Sequence, residues 1–220
     1  MHVDVKICGL KTPEALDAAL AGGAAYVGFV FFPPSPRSLA VAQAAKLAER
    51  AKGKAKIVAL SVDADAALLD EIASVLKPDV MQLHGGETPE KVREIRKAYG
   101  IPVMKAVKIG GRDDIEAASA YENAADMLLL DAKPRPGEGL GLPGGNGVSF
   151  DWRLMQGLDL KLPVMLSGGL DASNVAAAIS MSGARAVDVS SGVETAPGVK
   201  DVKLIQDFLA AVRIIEGVPA

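Results

Sequence analysis

Cysteine and histidine are scarce in this chain of 220 residues, which has one cysteine, Cys8, and two histidines. A lone cysteine cannot form an intramolecular disulfide, so we expect the protein in the reducing cytoplasm. The sequence has no Cys/His cluster and no HExxH spacing, so we expect no bound metal. It also has no P-loop, and no GxGxxG motif follows the first predicted strand, so the common nucleotide-binding loops are absent.

An excess of positive charge and long apolar runs are also missing. The formal net charge is -3, whereas nucleic-acid-binding domains carry a basic face, so we expect no nucleic-acid partner. No apolar stretch approaches the roughly 20 residues that span a bilayer. The segment from Met1 to Lys6 carries charges where a signal peptide has its apolar core. We therefore expect a soluble protein with no membrane partner.

What the chain does have is the composition of a globular domain. Hydrophobic residues make up 50% of the sequence and charged residues 23%, which argues against disorder. The length fits one domain, and no Ser-, Pro- or Gly-rich linker divides the pattern. We therefore predict a single domain over residues 1–220, present as a monomer or a homodimer.

Short runs rich in Val, Ile and Leu alternate with longer segments of helical periodicity. The runs predict strands at Val3–Ile7, Tyr26–Phe31, Ile57–Val62, Val80–Leu83, Val103–Val107, Met127–Leu130, Val164–Leu166 and Ala186–Val189. The segments between them predict helices at Thr12–Leu20, Leu39–Ala51, Asp65–Leu76, Thr88–Tyr99, Asp113–Tyr121, Asp151–Leu158, Ala172–Ser182 and Lys200–Ile215.

Apolar strands separated by helices are typical of a parallel sheet that is covered on its faces. Eight such units in a chain of this length favour an α/β fold of the (β/α)8 type, a single TIM barrel, over an open doubly wound sheet of the flavodoxin or Rossmann kind. Active sites of such barrels lie at the carboxyl ends of the strands, where the βα loops meet. The residues at those ends are therefore the candidates for chemistry.

Two of these residues are candidates for proton transfer. Cys8 follows the first strand, and strand alternation places it with Lys6 on the face opposite to Val5 and Ile7. It is either a buried structural thiol or a nucleophile or base, and Lys6 would favour its thiolate. Asp131 ends the apolar sixth strand, just before the Gly- and Pro-rich stretch from Lys133 to Gly147. Its carboxyl group either anchors that loop or acts as a general acid or base.

Arg37 and His84 are candidates for binding the substrate. Arg37 follows a Pro-rich loop after the second strand and is either a solvated surface residue or a ligand for a substrate carboxylate. His84 ends the fourth strand and is either a hydrogen-bonded structural residue or part of the substrate site.

Glycine-containing turns follow the seventh and eighth strands, at Gly168-Gly169 and at Ser191-Gly192. Glycine lets the backbone approach an anion closely, and helix amino termini offer free N–H groups. Barrels frequently bind phosphate with the loops after these two strands. The two turns together therefore predict a phosphate site.

The ordered series of motifs resembles the phosphoribosylanthranilate isomerase family over essentially the whole chain. The resemblance is carried by Lys6-Ile7-Cys8-Gly9, Ser35-Pro36-Arg37, Gln82-Leu83-His84-Gly85, Asp131, Gly144-Gly145-Asn146-Gly147, Ser167-Gly168-Gly169-Leu170 and Asp188-Val189-Ser190-Ser191-Gly192-Val193-Glu194. Asn146 departs from the family, which more often has Thr or Ser there.

The resemblance implies an Amadori rearrangement of N-(5'-phosphoribosyl)anthranilate, a phosphorylated sugar bearing an anthranilate group, in tryptophan biosynthesis. It implies that Cys8 is the general base, that Asp131 is the general acid, and that Arg37 lies near the anthranilate carboxylate. The turns at Gly168-Gly169 and Ser191-Gly192 match the family's phosphate site. No cofactor is implied, because the substrate nitrogen itself accepts the electrons.

Two other functions compete with this one. A relative of indoleglycerol-phosphate synthase would need a Lys and Glu set at the strand ends, which the chain does not supply. A non-catalytic barrel that binds a phosphorylated metabolite would need the glycine turns but not both Cys8 and Asp131.

Overall fold

The structure, a computed structural model, describes residues 2–133 and 144–217. Within these residues, eight parallel strands form a closed barrel in which each strand pairs with the next along the chain. The strands are β1 Asp4–Cys8, β2 Tyr26–Phe31, β3 Lys56–Ser61, β4 Val80–Leu83, β5 Val103–Ile109, β6 Met127–Ala132, β7 Val164–Leu166 and β8 Ala186–Val189. The barrel closes where β8 pairs with β1, with Asp188 opposite Lys6. The predicted (β/α)8 barrel is confirmed.

The helices that cover the outside of the barrel follow the strands in turn. They are α1 Pro13–Ala21, α2 Val41–Ala51, α3 Ala66–Glu71, α4 Pro89–Tyr99, α5 Arg112–Ala118, α6 Val175–Ser182 and α7 Val202–Glu216. The Thr-Pro-Glu sequences that predict two of the helix starts act as expected, since Thr12 Oγ1 accepts from Ala15 N and Thr88 Oγ1 from Lys91 N, both at 3.3 Å.

Two predicted helices are shorter in the structure. The segment Asp151–Leu158 forms only a 3₁₀ turn, Trp152–Met155, in which Arg153 N donates to Oδ1 of the N-cap residue Asp151. The helix predicted from Ala172 begins at Val175, because Asp171 Oδ1 accepts from the N–H groups of Ser173 and Asn174 and forms a turn ahead of it.

Two further differences concern helix ends. The predicted helix Asp65–Leu76 continues beyond α3 as a π-helix, Ile72–Leu76, where the Ser74 hydroxyl donates to Asp70 O at 2.6 Å. The helix predicted from Lys200 begins two residues later, because Val199–Lys200 forms strand β10, which pairs with β9, Glu194–Ala196.

The sheet separates two apolar regions. The larger core lies between barrel and helices, whereas a smaller cluster consists of the side chains that alternate with it along the strands: Tyr26, Val58, Val80, Met104, Ala106, Leu129 and Met165. Further along the barrel, or directly after its strands, lie buried polar side chains: Lys6, Gln82, His84, Asp131, Ser167 and Asp188. A third, small apolar cluster of Cys8, Val30 and Leu60 lies among them. The polarity of the barrel interior therefore increases toward its carboxyl-terminal end, where the site lies.

Residues 134–143 of the predicted Gly- and Pro-rich loop lie outside the described residues. None of the helices in the described ranges combines the length and the apolar character that crossing a bilayer requires.

Candidate active site

A cavity of about 740 Å³, including space open to solvent, lies at the carboxyl ends of the strands. Seven of the eight predicted site residues line it: Cys8, Arg37, His84, Asp131, Gly168, Gly169 and Ser191. The eighth, Gly192, is not among the lining residues, and a Cβ on it would overlap the carbonyl oxygen of Leu170. The two glycine turns are therefore packed against each other.

Cys8 is the last residue of β1, and its buried side chain packs against Val30 and Leu60. Burial raises the pKa of the Cys8 thiol above its ordinary value, while the charge of Lys6 lowers it and the charge of Asp188 raises it. The net direction is upward, so the resting side chain at neutral pH is mainly the thiol.

A cluster of buried polar side chains lies next to Cys8. Lys6 Nζ donates to Asp188 Oδ1 at 2.8 Å, and Ser167 Oγ donates to Asp188 Oδ2 at 3.0 Å. Burial alone would lower the pKa of Lys6, but Asp188 and Cys8 outweigh it and raise that pKa, so Lys6 is an ammonium ion. This arrangement places a fixed charge pair inside the barrel at the level just below the thiol.

Asp131 lies within β6, because this strand extends two residues beyond the predicted end to pair with Lys108 and Ile109 of β5. Its Oδ1 accepts from the Ala132 N–H at 3.0 Å, and its Oδ2 lies 3.2 Å from His84 Nε2. Both carboxyl oxygens therefore have neighbours that fix the plane of the group.

His84 is oriented in turn by Gln82, whose Nε2 lies 2.9 Å from His84 Nδ1. An amide nitrogen only donates, so with the amide placed this way Nδ1 accepts, Nε2 carries the proton, and His84 donates to Asp131. The sequence predicted His84 as a site residue, and the structure places it against the candidate acid. Nothing in the sequence analysis predicted the role of Gln82.

Arg37 is buried rather than solvated. Its Nε and Nη2 donate to the two carboxylate oxygens of Glu194, both at 2.8 Å, and Nη2 also donates to Gly145 O at 3.3 Å. The guanidinium group still lines the cavity, with Nη1 packed against Gly145. This geometry excludes the surface alternative and leaves Nη1 as the guanidinium nitrogen that donates to neither Glu194 nor Gly145.

Glu194 also binds a second cation, since Lys200 Nζ donates to its Oε1 at 2.6 Å and to Ser190 O at 2.8 Å. Burial pushes the pKa of Glu194 upward, but the bonds and charges of Arg37 and Lys200 outweigh burial and hold that pKa below its ordinary value. Glu194 stood in the sequence motif without a role, and Lys200 was not a candidate, because no local pattern predicts that β9 and β10 fold back against Arg37.

The backbone of the β7 turn requires glycine. Gly168 and Gly169 have φ of 92° and 61°, in the left-handed region. A Cβ on Gly168 would lie 2.7 Å from Ala132 N, and one on Gly169 would lie 2.8 Å from the carbonyl carbon of Val148. The turn is thus closely packed between β6 and the segment that follows Gly147.

In the described part of the chain, no three His, Cys, Asp or Glu side chains converge in the way a metal ion would require. The groups that line the cavity are a thiol, carboxyl groups, an imidazole, a guanidinium group and glycine turns.

Comparison with known proteins identifies relatives of the whole chain. The model of the family described as N-(5'phosphoribosyl)anthranilate (PRA) isomerase matches residues 5–211. The N-(5'-phosphoribosyl)anthranilate isomerase of Sinorhizobium fredii is 56% identical over 218 residues, which cover 99% of this chain and 96% of the relative.

Two solved structures are similar along nearly their whole length. One is phosphoribosyl anthranilate isomerase in complex with reduced 1-(o-carboxyphenylamino)-1-deoxyribulose 5-phosphate, with a TM-score of 0.82, 33% identity and coverage of 96% of this chain and 98% of that one. The other shows monomers generated from the dimeric enzyme of Thermotoga maritima, with a TM-score of 0.81, 34% identity and the same coverage, 96% and 98%. The chain belongs to the N-(5'-phosphoribosyl)anthranilate isomerase family and is an isomerase of tryptophan biosynthesis.

Proposed function

We propose that Cys8 is the general base and Asp131 the general acid of an Amadori rearrangement in this enzyme. The substrate is N-(5'-phosphoribosyl)anthranilate and the product is 1-(2-carboxyphenylamino)-1-deoxyribulose 5-phosphate. The observation that carries the assignment is that a thiol from β1 and a carboxyl group from β6 line one cavity. Strands β1 and β6 are not neighbours in the barrel, so the two groups reach a sugar between them from different sides.

The first step opens the ribose ring. Asp131 gives a proton to the ring oxygen as the bond between that oxygen and C1 breaks, and the nitrogen lone pair forms a C=N bond to C1. The products are an open-chain iminium ion and the Asp131 carboxylate. The N–H groups of Ala132 and His84 favour this step, because hydrogen bonds to the charged form of an acid stabilise it.

The second step moves the proton on C2. The iminium group acidifies the C2–H bond, so a base of moderate strength is sufficient, and the Cys8 thiolate takes the proton. The electron pair of that bond forms the C1=C2 bond, and the C=N pair returns to nitrogen, which gives an enolamine. Transfer of the enol proton to C1 yields the ketone. The substrate nitrogen serves as electron acceptor, so the residues of the cavity need no cofactor for these steps.

The remaining residues of the cavity hold the two ends of the substrate. Nη1 of Arg37 pairs with the anthranilate carboxylate, because Nε and Nη2 already donate to Glu194 and Gly145 O and a guanidinium N–H forms a strong charge-assisted bond to a carboxylate. The turns at Gly168-Gly169 and Ser191-Gly192 bind the phosphate through backbone N–H groups. His84 lies between these ends and contacts the sugar beside Asp131. The solved complex of a relative with reduced 1-(o-carboxyphenylamino)-1-deoxyribulose 5-phosphate supports a phosphorylated sugar as the ligand.

We further propose that residues 1–220 act as a single catalytic domain in the cytoplasm. The pairing of β8 with β1 supports one domain, because residues from both ends of the chain are needed to close the barrel. The lone cysteine suits a reducing compartment. The protein is a monomer or a homodimer, and sedimentation velocity over a range of concentrations distinguishes the two.

The test of the assignment uses Cys8→Ala and Asp131→Ala. The anthranilate ring is fluorescent, so turnover is followed as loss of substrate emission. Each variant is expected to lose a factor of about 10²–10⁴ in kcat, while the reduced product analogue binds with similar affinity. Asp126→Ala is the matched control, since Asp126 Oδ2 accepts from Val103 N at the opposite end of the barrel, and it is expected to retain turnover. Near-native kcat in either site variant would refute the assignment.

A further inference from the structure

The Lys6–Asp188 charge pair inside the barrel carries a desolvation cost that a gain in folding stability does not explain. Lys6 is 0% exposed and Asp188 is 5% exposed. Transfer of two charges out of water is expensive, and well-packed apolar residues of similar volume are often as stabilising as a buried ion pair. The pair therefore calls for a function beyond closure of the barrel between β1 and β8.

The end of the Lys6 side chain and the sulfur of Cys8 border the same small space. Gly28 of β2 is paired with Cys8, and a Cβ on Gly28 would lie 3.1 Å from Cys8 Sγ and 3.2 Å from Lys6 Cε. The missing side chain of Gly28 thus leaves the room through which Lys6 extends toward the thiol. An ammonium group has three N–H donors, and Asp188 Oδ1 takes one of them at 2.8 Å.

We propose that Lys6 is a positioning residue that supplies the positive charge beneath Cys8, and that Asp188, held by Ser167, limits how much of that charge the sulfur experiences. The proposal rests on the proposed role of Cys8 as the base. When the Cys8 thiol loses its proton, the thiolate forms next to an ammonium ion that the barrel already holds in place. When the thiolate takes the proton from C2 of the substrate, the charge on sulfur is neutralised and the Lys6–Asp188 pair remains.

The electrostatics around Cys8 agree with this arrangement. Burial raises the pKa of Cys8, Lys6 lowers it by its charge and by a hydrogen bond, Asp188 raises it, and Lys200 lowers it. The β2 and β3 side chains that pack on the sulfur, Val30 and Leu60, are uncharged. The other titratable side chains that line the cavity are Arg37, His84, Asp131 and Asp188. Lys6 is thus the principal group that favours the Cys8 thiolate, and the charge of Asp188 opposes the effect of Lys6.

The single cysteine of the chain makes the proposal directly testable. The rate of alkylation by iodoacetamide as a function of pH reports the ionisation of Cys8 without ambiguity about the site. We expect Lys6→Met to move the midpoint to higher pH, and Asp188→Asn to move it to lower pH, each by about one unit, which is about tenfold in thiolate fraction near neutrality.

A purely structural pair gives a different result. Both variants would then lower the melting temperature and leave the midpoint unchanged, and that outcome overturns the proposal. A shift of both midpoints in the same direction also overturns it. Glu87→Gln is the matched control, because Glu87 forms another buried pair, with Lys105 at 2.8 Å, outside the surroundings of Cys8. It is expected to leave the alkylation midpoint where it is.

The Lys6→Met substitution also threatens folding, because it leaves the Asp188 carboxylate buried without a cation. The double variant Lys6→Met, Asp188→Leu replaces both charges with apolar groups, and its midpoint is expected above that of Asp188→Asn, which keeps Lys6. Equal midpoints would contradict the role of Lys6. The role of Cys8 is tested apart from this: if Cys8→Ala retains turnover, the base assignment fails whatever the alkylation data show.

Discussion

Arg37 and Glu194 form a buried ion pair in which both carboxylate oxygens accept from the guanidinium group at 2.8 Å, with side chains only 4% and 3% exposed. The two residues are 157 positions apart in the sequence. The pair fixes the plane of the guanidinium group before any substrate is present. Such fixed geometry lowers the entropy that binding would otherwise cost.

Glu194→Gln is expected to weaken substrate binding more than turnover. The amide offers Arg37 one acceptor oxygen in place of two and removes the charge that Lys200 also uses. We expect KM to rise about tenfold, which corresponds to one charged hydrogen bond, with kcat changed by less than about threefold. Steady-state kinetics by fluorescence measure both parameters.

Arg37→Lys provides the comparison for Glu194→Gln, because a lysine cannot donate to both carboxylate oxygens of Glu194 as the guanidinium group does. We expect the KM defect of Arg37→Lys to equal or exceed that of Glu194→Gln. A fall in kcat with KM unchanged would show that Arg37 does not act through the bound anthranilate group.

The pH dependence of Cys8 reactivity follows from its ionisation. The thiolate is the form that iodoacetamide alkylates, and burial raises the pKa of Cys8 above the ordinary value of 9.0. The thiolate fraction therefore increases throughout the neutral range, and we expect the rate of alkylation to increase about tenfold per pH unit from about pH 7 to about pH 9. An alkylation rate that levels off below about pH 9 would show that the pKa of Cys8 is not raised.

The parts of the fold that were predicted from the sequence are those encoded locally. Tyr26–Phe31, Val80–Leu83, Val164–Leu166 and Ala186–Val189 have the predicted bounds, because apolar runs between turn residues define strands directly. The helices at Thr12 and Thr88 begin as expected, because each N-cap acts within its own first turn. The late start of α6 has a local cause too, since bonds from the Ser173 and Asn174 N–H groups to the Asp171 side chain replace its first predicted turn.

The parts of the site that could not be predicted depend on distant contacts. Strand ends predicted Cys8, Asp131 and His84 as candidates, because a barrel brings all carboxyl ends of strands to one face. The bonds from Arg37 to Glu194 and from Gln82 to His84 depend on register and on the β9–β10 hairpin. Neither leaves a periodic signal in the sequence.

Gly169→Ala is expected to disturb the phosphate turn, whereas Gly53→Ala is not. Both glycines have φ in the left-handed region, 61° and 71°, so each substitution costs about 1 kcal/mol of backbone strain. A Cβ on Gly169 would also collide with the backbone of Val148, while nothing lies within 4 Å of one on Gly53. Inorganic phosphate serves as a competitive inhibitor, and we expect its Ki to rise at least about tenfold in Gly169→Ala alone. Equal Ki values in the two variants would place the phosphate elsewhere.

Asp79→Ala is expected to affect stability without affecting catalysis. Asp79 precedes β4 at the amino-terminal end of the barrel, and its Oδ2 accepts from Ile57 N at 2.7 Å. Removal of this acceptor leaves a partly buried N–H without its charged partner, so the free energy of unfolding is expected to fall by about 1–3 kcal/mol. Because the catalytic groups lie at the opposite end, kcat/KM should stay within about twofold of the native value. Urea denaturation and the fluorescence assay measure the two effects, and Asp79→Asn, which keeps an acceptor oxygen, should be less destabilised than Asp79→Ala. A loss of turnover in Asp79→Ala at unchanged stability would contradict the separation of the stabilising end of the barrel from its catalytic end.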